Sequence, residues 1–147
     1  MLNVGKICSR DVDLAERDES ICRVAKRMLA RRVGTLVVLD DERRPAGIVT
    51  DRDLALRVLA TDKDPETAWL SEVFTTPVHG ISEDAPIDEA VTKMRANRCR
   101  RLVVHDSSER VVGIVSVDDV IAALAEQLRG VTALLDSEAP HALEGEL

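Results

Sequence analysis

The chain has 147 residues, 45% hydrophobic, 32% charged and 1% aromatic, with a net charge of −7. That length and balance fit one compact unit, or two very small ones sharing a core, and exclude a disordered chain. No run approaches the roughly 18 apolar residues of a membrane span, and the opening residues lack the apolar stretch of a signal peptide. A cytoplasmic protein without membrane contact is therefore expected. Four of the negative charges, Asp136, Glu138, Glu144 and Glu146, fall in the last twelve residues, which carry no Lys or Arg. An acidic chain lacks the basic surface that phosphate backbones need, so a nucleic-acid partner is not expected. With Trp69 and Phe74 the only aromatics, base stacking on aromatic platforms is excluded as a main binding mode. Cys8, Cys22 and Cys99 are odd in number and far apart, with no C-x-x-C and no His at ligand spacing. Neither a disulfide framework nor a metal site is expected; free Cys on or beside amphipathic stretches acts as a small hydrophobe.

In chain order, an extended piece at 12–14 precedes an amphipathic stretch at 19–33, where Ile21, Val24, Ala25, Met28 and Leu29 recur at helical spacing. Two β-branched runs follow, LVVLD and AGIVT, joined by the polar turn DDERRP, and then a helical pattern at 51–60. After a connector the order repeats: an extended piece at 78–81, a helix at 85–99 carrying Ile87, Ala90, Val91 and Met94, the runs LVVHD and VVGIVS, and a helix at 117–129. Shifting the chain by 66 residues lays Gly34–Ala60 on Arg100–Glu126 without a gap, and also Val12 on Val78, Asp18 on Asp84 and Met28 on Met94. Two copies are too few for a solenoid, so a closed pair is expected. The fold class is α/β (α+β), two β-α-β-β-α repeats related by pseudo-two-fold symmetry. Residues 3–62 form the first repeat, 63–69 a linker, 70–129 the second repeat and 130–147 an acidic tail.

The motifs GIVTDRD (Gly47–Asp53) and GIVSVDD (Gly113–Asp119), with LVVLD and LVVHD before them, resemble the cystathionine β-synthase (CBS) domain, which occurs as tandem pairs. The resemblance covers about residues 3–128 and rests on two motifs at a fixed offset. Val37 and Val103 stand where the family often has Pro. It implies a regulatory module that binds an adenosine-containing ligand between its repeats: AMP, ADP or ATP foremost, with NAD, S-adenosylmethionine or a cyclic dinucleotide as further choices. It also implies a homodimer and leaves a regulated protein partner unnamed.

The resemblance places ribose on Thr50 and Asp53 and on Ser116 and Asp119. A carboxylate suits a diol because it accepts both O–H donors, yet the same spacing is also an S/T-x-x-D capping box, and the two roles are compatible. For adenine the resemblance points to Val12, Leu14, Gly34, Thr35 and Leu36 in one site and to Val78, Ile81, Arg100, Arg101 and Leu102 in the other, although apolar members of such a set also serve as core. Phosphate falls to Arg101, where the resemblance to the AMP-binding regulatory subunit of AMP-activated kinase places a phosphate-contacting Arg; Arg52 is a further candidate that fits a surface ion pair equally well. Arg31, Arg32 and Arg98 fall in last helical turns, where cations offset the dipole. Gly47 and Gly113 fit a close approach of backbone to a ligand, and equally a hairpin position that needs positive φ. His79, His105 and His141 have no partner at ligand spacing, and no nucleophile elbow or Walker loop is present, so catalysis is not expected. The rival reading is a protein-interaction module in which the Thr/Asp and Ser/Asp pairs are caps alone. A weaker one is an enzyme or redox sensor using Cys8 or Cys99, for which nothing nearby activates either thiol. Leu54, Leu56, Val58, Ile121, Leu124 and Leu128 are the candidate dimer surface.

Overall fold

A strand that is apolar at nearly every position has to be covered on both faces, and the two copies of the LVV run solve this by packing their sheets against each other. The computed structural model describes residues 1–138. The elements are α1 (Val4–Ile7), β1 (Leu14–Glu16), α2 (Ile21–Arg31), β2 (Thr35–Leu39) and β3 (Pro45–Thr50), then α3 (Asp51–Leu54), which runs into a π-helical turn (Ala55–Leu59). A 3-10 turn (Leu70–Glu72) leads to β4 (Gly80–Ser82), α4 (Ile87–Asn97), β5 (Arg101–His105), β6 (Val111–Ser116) and α5 (Val117–Glu138). The strands form two sheets, β1-β2-β3 and β4-β5-β6, each with a parallel first pair and an antiparallel second. The expected β-α-β-β-α order is present twice.

Period-two alternation divides the strand residues between layers. Leu36, Val38 and Val49 face the helices of the first unit, with Ile21, Val24 and Met28. Leu102, Val104 and Val115 do the same in the second, with Ala90 and Met94. The alternate residues Val37, Leu39 and Val103, with Ile48 and Ile114, fill the space between the sheets. Asp40 and Asp106 close the hairpin turns: Asp40 Oδ1 accepts from the backbone N of Glu42 and Arg44 at 2.9 and 2.8 Å, and Asp106 Oδ1 from Ser108 and Arg110 at 2.8 and 3.0 Å. α2 and α4 end at Arg32 and Arg98, which hold left-handed backbone at φ 56° and 51°.

Each repeat sends its leading segment to the other unit. Val4 is fully buried in the second core, its N–H donates to Ala85 O at 2.9 Å, and Ser9 and Ile114 exchange backbone bonds at 2.9 and 3.0 Å. Reciprocally, Leu70 and Val73 lie in the first core, and Thr75 and Ile48 exchange bonds at 2.8 and 3.2 Å. The glycines of the two motifs sit under these crossing segments. A Cβ on Gly47 would lie 2.3 Å from Phe74 Cδ2, and one on Gly113 2.8 Å from Cys8 Sγ. Among the described residues no glycine has positive φ, and what approaches Gly47 and Gly113 is the crossing segment and not a ligand.

Two expectations need correction. The last helix does not stop at 129 but continues to Glu138, because residues 130–138 keep a helical apolar spacing through Val131, Leu134 and Leu135. The rest of the acidic tail, with His141, lies outside the described residues. Leu54 and Val58 are not surface residues: Val58 is 4% exposed and Leu54 packs beside it in the first core. Leu56, Ile121, Leu124 and Leu128 are more than half exposed.

Candidate functional site

Both motif pairs form complete capping boxes. Thr50 N and Oγ1 donate to Asp53 Oδ2 at 2.9 and 3.1 Å, while Asp53 N donates back to Thr50 Oγ1 at 3.2 Å. Ser116 N and Oγ donate to Asp119 Oδ2 at 2.8 and 3.0 Å, with Asp119 N returning to Ser116 Oγ at 3.2 Å. In each case the box occupies one carboxylate oxygen; the second oxygen of Asp119 has no ion pair among the described residues, while that of Asp53 faces Arg57 at 3.7 Å.

Around Ser116 and Asp119 the chain leaves a pocket of about 280 Å³. Its walls come from both repeats: Ser9, Asp11, Val12, Val33, Gly34 and Thr35 from the first, Arg101, Ile114, Ser116 and Asp119 from the second. The volume is near the lower end of small-molecule sites. Arg101 is exposed and has no ion pair among the described residues. Asp11, by contrast, is held by Arg31 at 2.9 Å, and Arg31 also reaches Asp13 at 2.8 Å. The pocket therefore offers one uncommitted guanidinium, one partly buried carboxylate oxygen and two aliphatic walls.

The pairing of walls differs from the sequence expectation. Val12, Gly34 and Thr35, which the resemblance places in the first site, face Ser116 and Asp119 of the second repeat. Bonding of Ser9 to Ile114 carries residues 9–12, and so Val12, onto the second unit, while Thr35 and Arg101 lie two residues before Val37 and Val103, which pack together between the sheets. Leu36, Ile81 and Leu102 are 0–1% exposed inside the two cores, so their side chains are packing residues and not adenine walls. Leu14 lies on the edge strand and lines a separate, open depression of about 630 Å³ with Trp69 and Leu39. Val78 packs between the sheets. Arg100 is exposed, and its carbonyl accepts from Val117 N at 3.0 Å. Arg52 is exposed and is not a wall of the Asp119 pocket. Ser9, Asp11, Val33 and Ile114 are walls that motif reading missed. Only the inter-repeat pairing would reveal them.

The larger depression near Trp69 is less suited to a ligand because its ionic groups satisfy each other. Glu19 forms a two-pronged pair with Arg27 and accepts from Glu16 N at 2.8 Å. Burial alone would raise the Glu19 carboxyl, but these donors overcome it and hold the group below the ordinary carboxylate range. Burial pushes the Cys8 thiol up, only partly opposed by Arg10, which disfavours the thiolate that a redox sensor needs.

Comparison with known proteins agrees with this architecture. The model of the CBS domain matches twice, at residues 4–60 and 70–126. An uncharacterised protein of Methanopyrus kandleri is 30% identical over 120 residues, which are 82% of this chain and 61% of that one, so the match spans less than two thirds of that relative. The CBS domain pair of protein MJ0100, solved in complex with 5′-methylthioadenosine and S-adenosyl-L-methionine, superposes with a TM-score of 0.73 at 28% identity, covering 86% of this chain and 98% of that one. The CBS domain protein PAE2072 from Pyrobaculum aerophilum, complexed with AMP, gives 0.69 at 25% identity over 80% and 89% of the two chains. Among the described residues no helix is long and apolar enough to cross a membrane. With two copies of one unit, sheets packed face to face and two family matches at the same offset, the chain belongs to the CBS-domain family as a tandem pair.

Proposed function

We propose that this pair is a non-catalytic regulatory module that binds an adenosine-containing ligand, an adenine nucleotide foremost, in the pocket between its repeats and signals through conformation or association. The observation that carries this reading is the uncommitted Asp119 oxygen and Arg101 guanidinium facing one small cavity with aliphatic walls. Asp119 and Ser116 serve the ribose, Val12 and Ile114 grip the ring, and Arg101 meets phosphate. The complexes of MJ0100 and PAE2072 support the adenosyl class. Binding to the folded chain alone at about 100 times Kd adds roughly 2.7 kcal/mol, on the order of 5–10 °C in Tm for a domain of this size. Melting curves with AMP, ADP, ATP, NAD, S-adenosylmethionine and a cyclic dinucleotide measure this. Flat curves across the panel would leave the boxes as caps and favour a module that works through protein contacts alone.

Association is the second part of the proposal. Leu56, Ile121, Leu124 and Leu128 expose more than half of their surface, a cost relieved when two copies pair those helices. Light scattering at micromolar concentration is expected to give about twice the 16.1 kDa chain mass; a value near the chain mass would reject the dimer.

A further inference from the structure

Positions 66 apart occupy equivalent places in the two units, and around the two carboxylates they differ in ways that bear on binding. Asp53 and Asp119 make the same box, but their second oxygens do not share the same surroundings. Asp53 Oδ1 lies 3.7 Å from Arg57 Nε, and Arg57 Nη1 also donates to Val73 O at 3.1 Å, which anchors the guanidinium on the crossing segment. The equivalent of Arg57 is Ala123, and Asp119 has no ion pair among the described residues.

The other walls change in the same direction. Thr35 and Arg101 are equivalents, and both line the Asp119 pocket, so the single cation at this pair of positions is committed to that side. Gly34, a wall of that pocket, is matched by Arg100. Asp11, a polar wall, is matched by Pro77.

We propose that each chain has one working nucleotide site, at Ser116 and Asp119, and that Arg57 is the residue that closes the other by holding the Asp53 carboxylate a ribose would need. The proposal rests on the adenosyl-ligand reading above and adds its stoichiometry and the residue that sets it. A ribose diol that approaches Asp53 must compete with the Arg57 cation for the carboxylate, whereas no cation pairs with Asp119 among the described residues.

Calorimetric titration with AMP tests this on the full chain, comparing wild type with Asp119→Ala, Arg57→Ala and Arg57→Gln, each variant first checked for an unchanged circular dichroism spectrum. Wild type is expected to bind one AMP per chain. Asp119→Ala should weaken it at least tenfold, the loss of a hydrogen bond to a charged group. Arg57→Ala should keep that site and gain a second. Arg57→Gln, which keeps the bulk and most of the packing without the charge, stands in if the alanine variant is misfolded. Two AMP per wild-type chain, undiminished binding by Asp119→Ala, or a single site in both folded Arg57 variants would each overturn the proposal while leaving the adenosyl reading intact. Wild type that binds no AMP overturns it too, and the melting panel then shows whether the adenosyl reading falls with it.

Discussion

Arg101→Ala is expected to weaken AMP ten- to a hundredfold and to leave adenosine nearly unchanged. Arg101 begins β5 beside Ser116, its Cα partner across the sheet, and its guanidinium shares the pocket with Asp119 and Thr35. The neighbouring cation Arg31 is neutralised by Asp11 and Asp13, so no other wall residue supplies an unpaired positive charge. A hydrogen bond to a charged group contributes roughly 1.5–3 kcal/mol, about one to two decades in affinity. Because Arg101 is exposed, added salt should narrow the gap between wild type and variant. Titration of both ligands against both proteins measures the effect. Parallel losses for AMP and adenosine would mean that Arg101 supports the pocket wall and does not read phosphate.

The largest expected change in stability is at Gly47. An added methyl would stand 2.6 Å from Thr75 O as well as 2.3 Å from Phe74 Cδ2. The carbonyl cannot easily rotate away, because it accepts from Ile48 N at 3.2 Å, so the crossing segment itself must lift off β3. Overpacking of this kind costs about 3 kcal/mol or more, roughly 6–12 °C in Tm for a domain of this size. Gly130 is the internal control, since nothing lies within 4 Å of a Cβ there and the residue is inside α5. Gly130→Ala should raise stability by about 0.5–1 kcal/mol through helix propensity alone. Thermal melts of the two variants give opposite shifts if the packing is as described; an unshifted Gly47→Ala would contradict the contact with Phe74 and Thr75.

How much was legible in the sequence depended on whether the information was local. The offset of 66, the β-branched strands LVVLD and LVVHD, and the S/T-x-x-D boxes are readable from the sequence alone, and all appear in the structure as read. Position 36 shows where local reading ended. Leu36 and Thr35 are adjacent and entered the same adenine set, but the strand pleat sends one into the core and the other to the pocket, and only the known packing of the sheets says which. The grouping of Val12 with Asp119 was hidden for a related reason: it depends on the leader crossing between units at Ser9 and Ile114, and that leader carries no periodicity to announce its partner. Arg57 stands at helical i,i+4 spacing from Asp53, but its second contact, Val73 O, lies 16 residues on in the crossing segment, which local spacing does not anticipate.

The exchange of leading segments makes the repeat that is visible in the sequence different from the piece that folds. Cutting the connector at 62–66 would separate two lengths of chain but not two bodies, since each length keeps a part of the other's interior: Val4 in one direction, Leu70 and Val73 in the other. A gene fragment beginning at residue 70 would encode a second unit without the Val4 that completes its core and burdened with a stretch whose apolar side chains belong elsewhere. Any recombination of halves among such proteins therefore preserves its contacts only when the seams fall after the crossings, near residues 10 and 76, and the inherited module is a circularly shifted version of the motif that was duplicated.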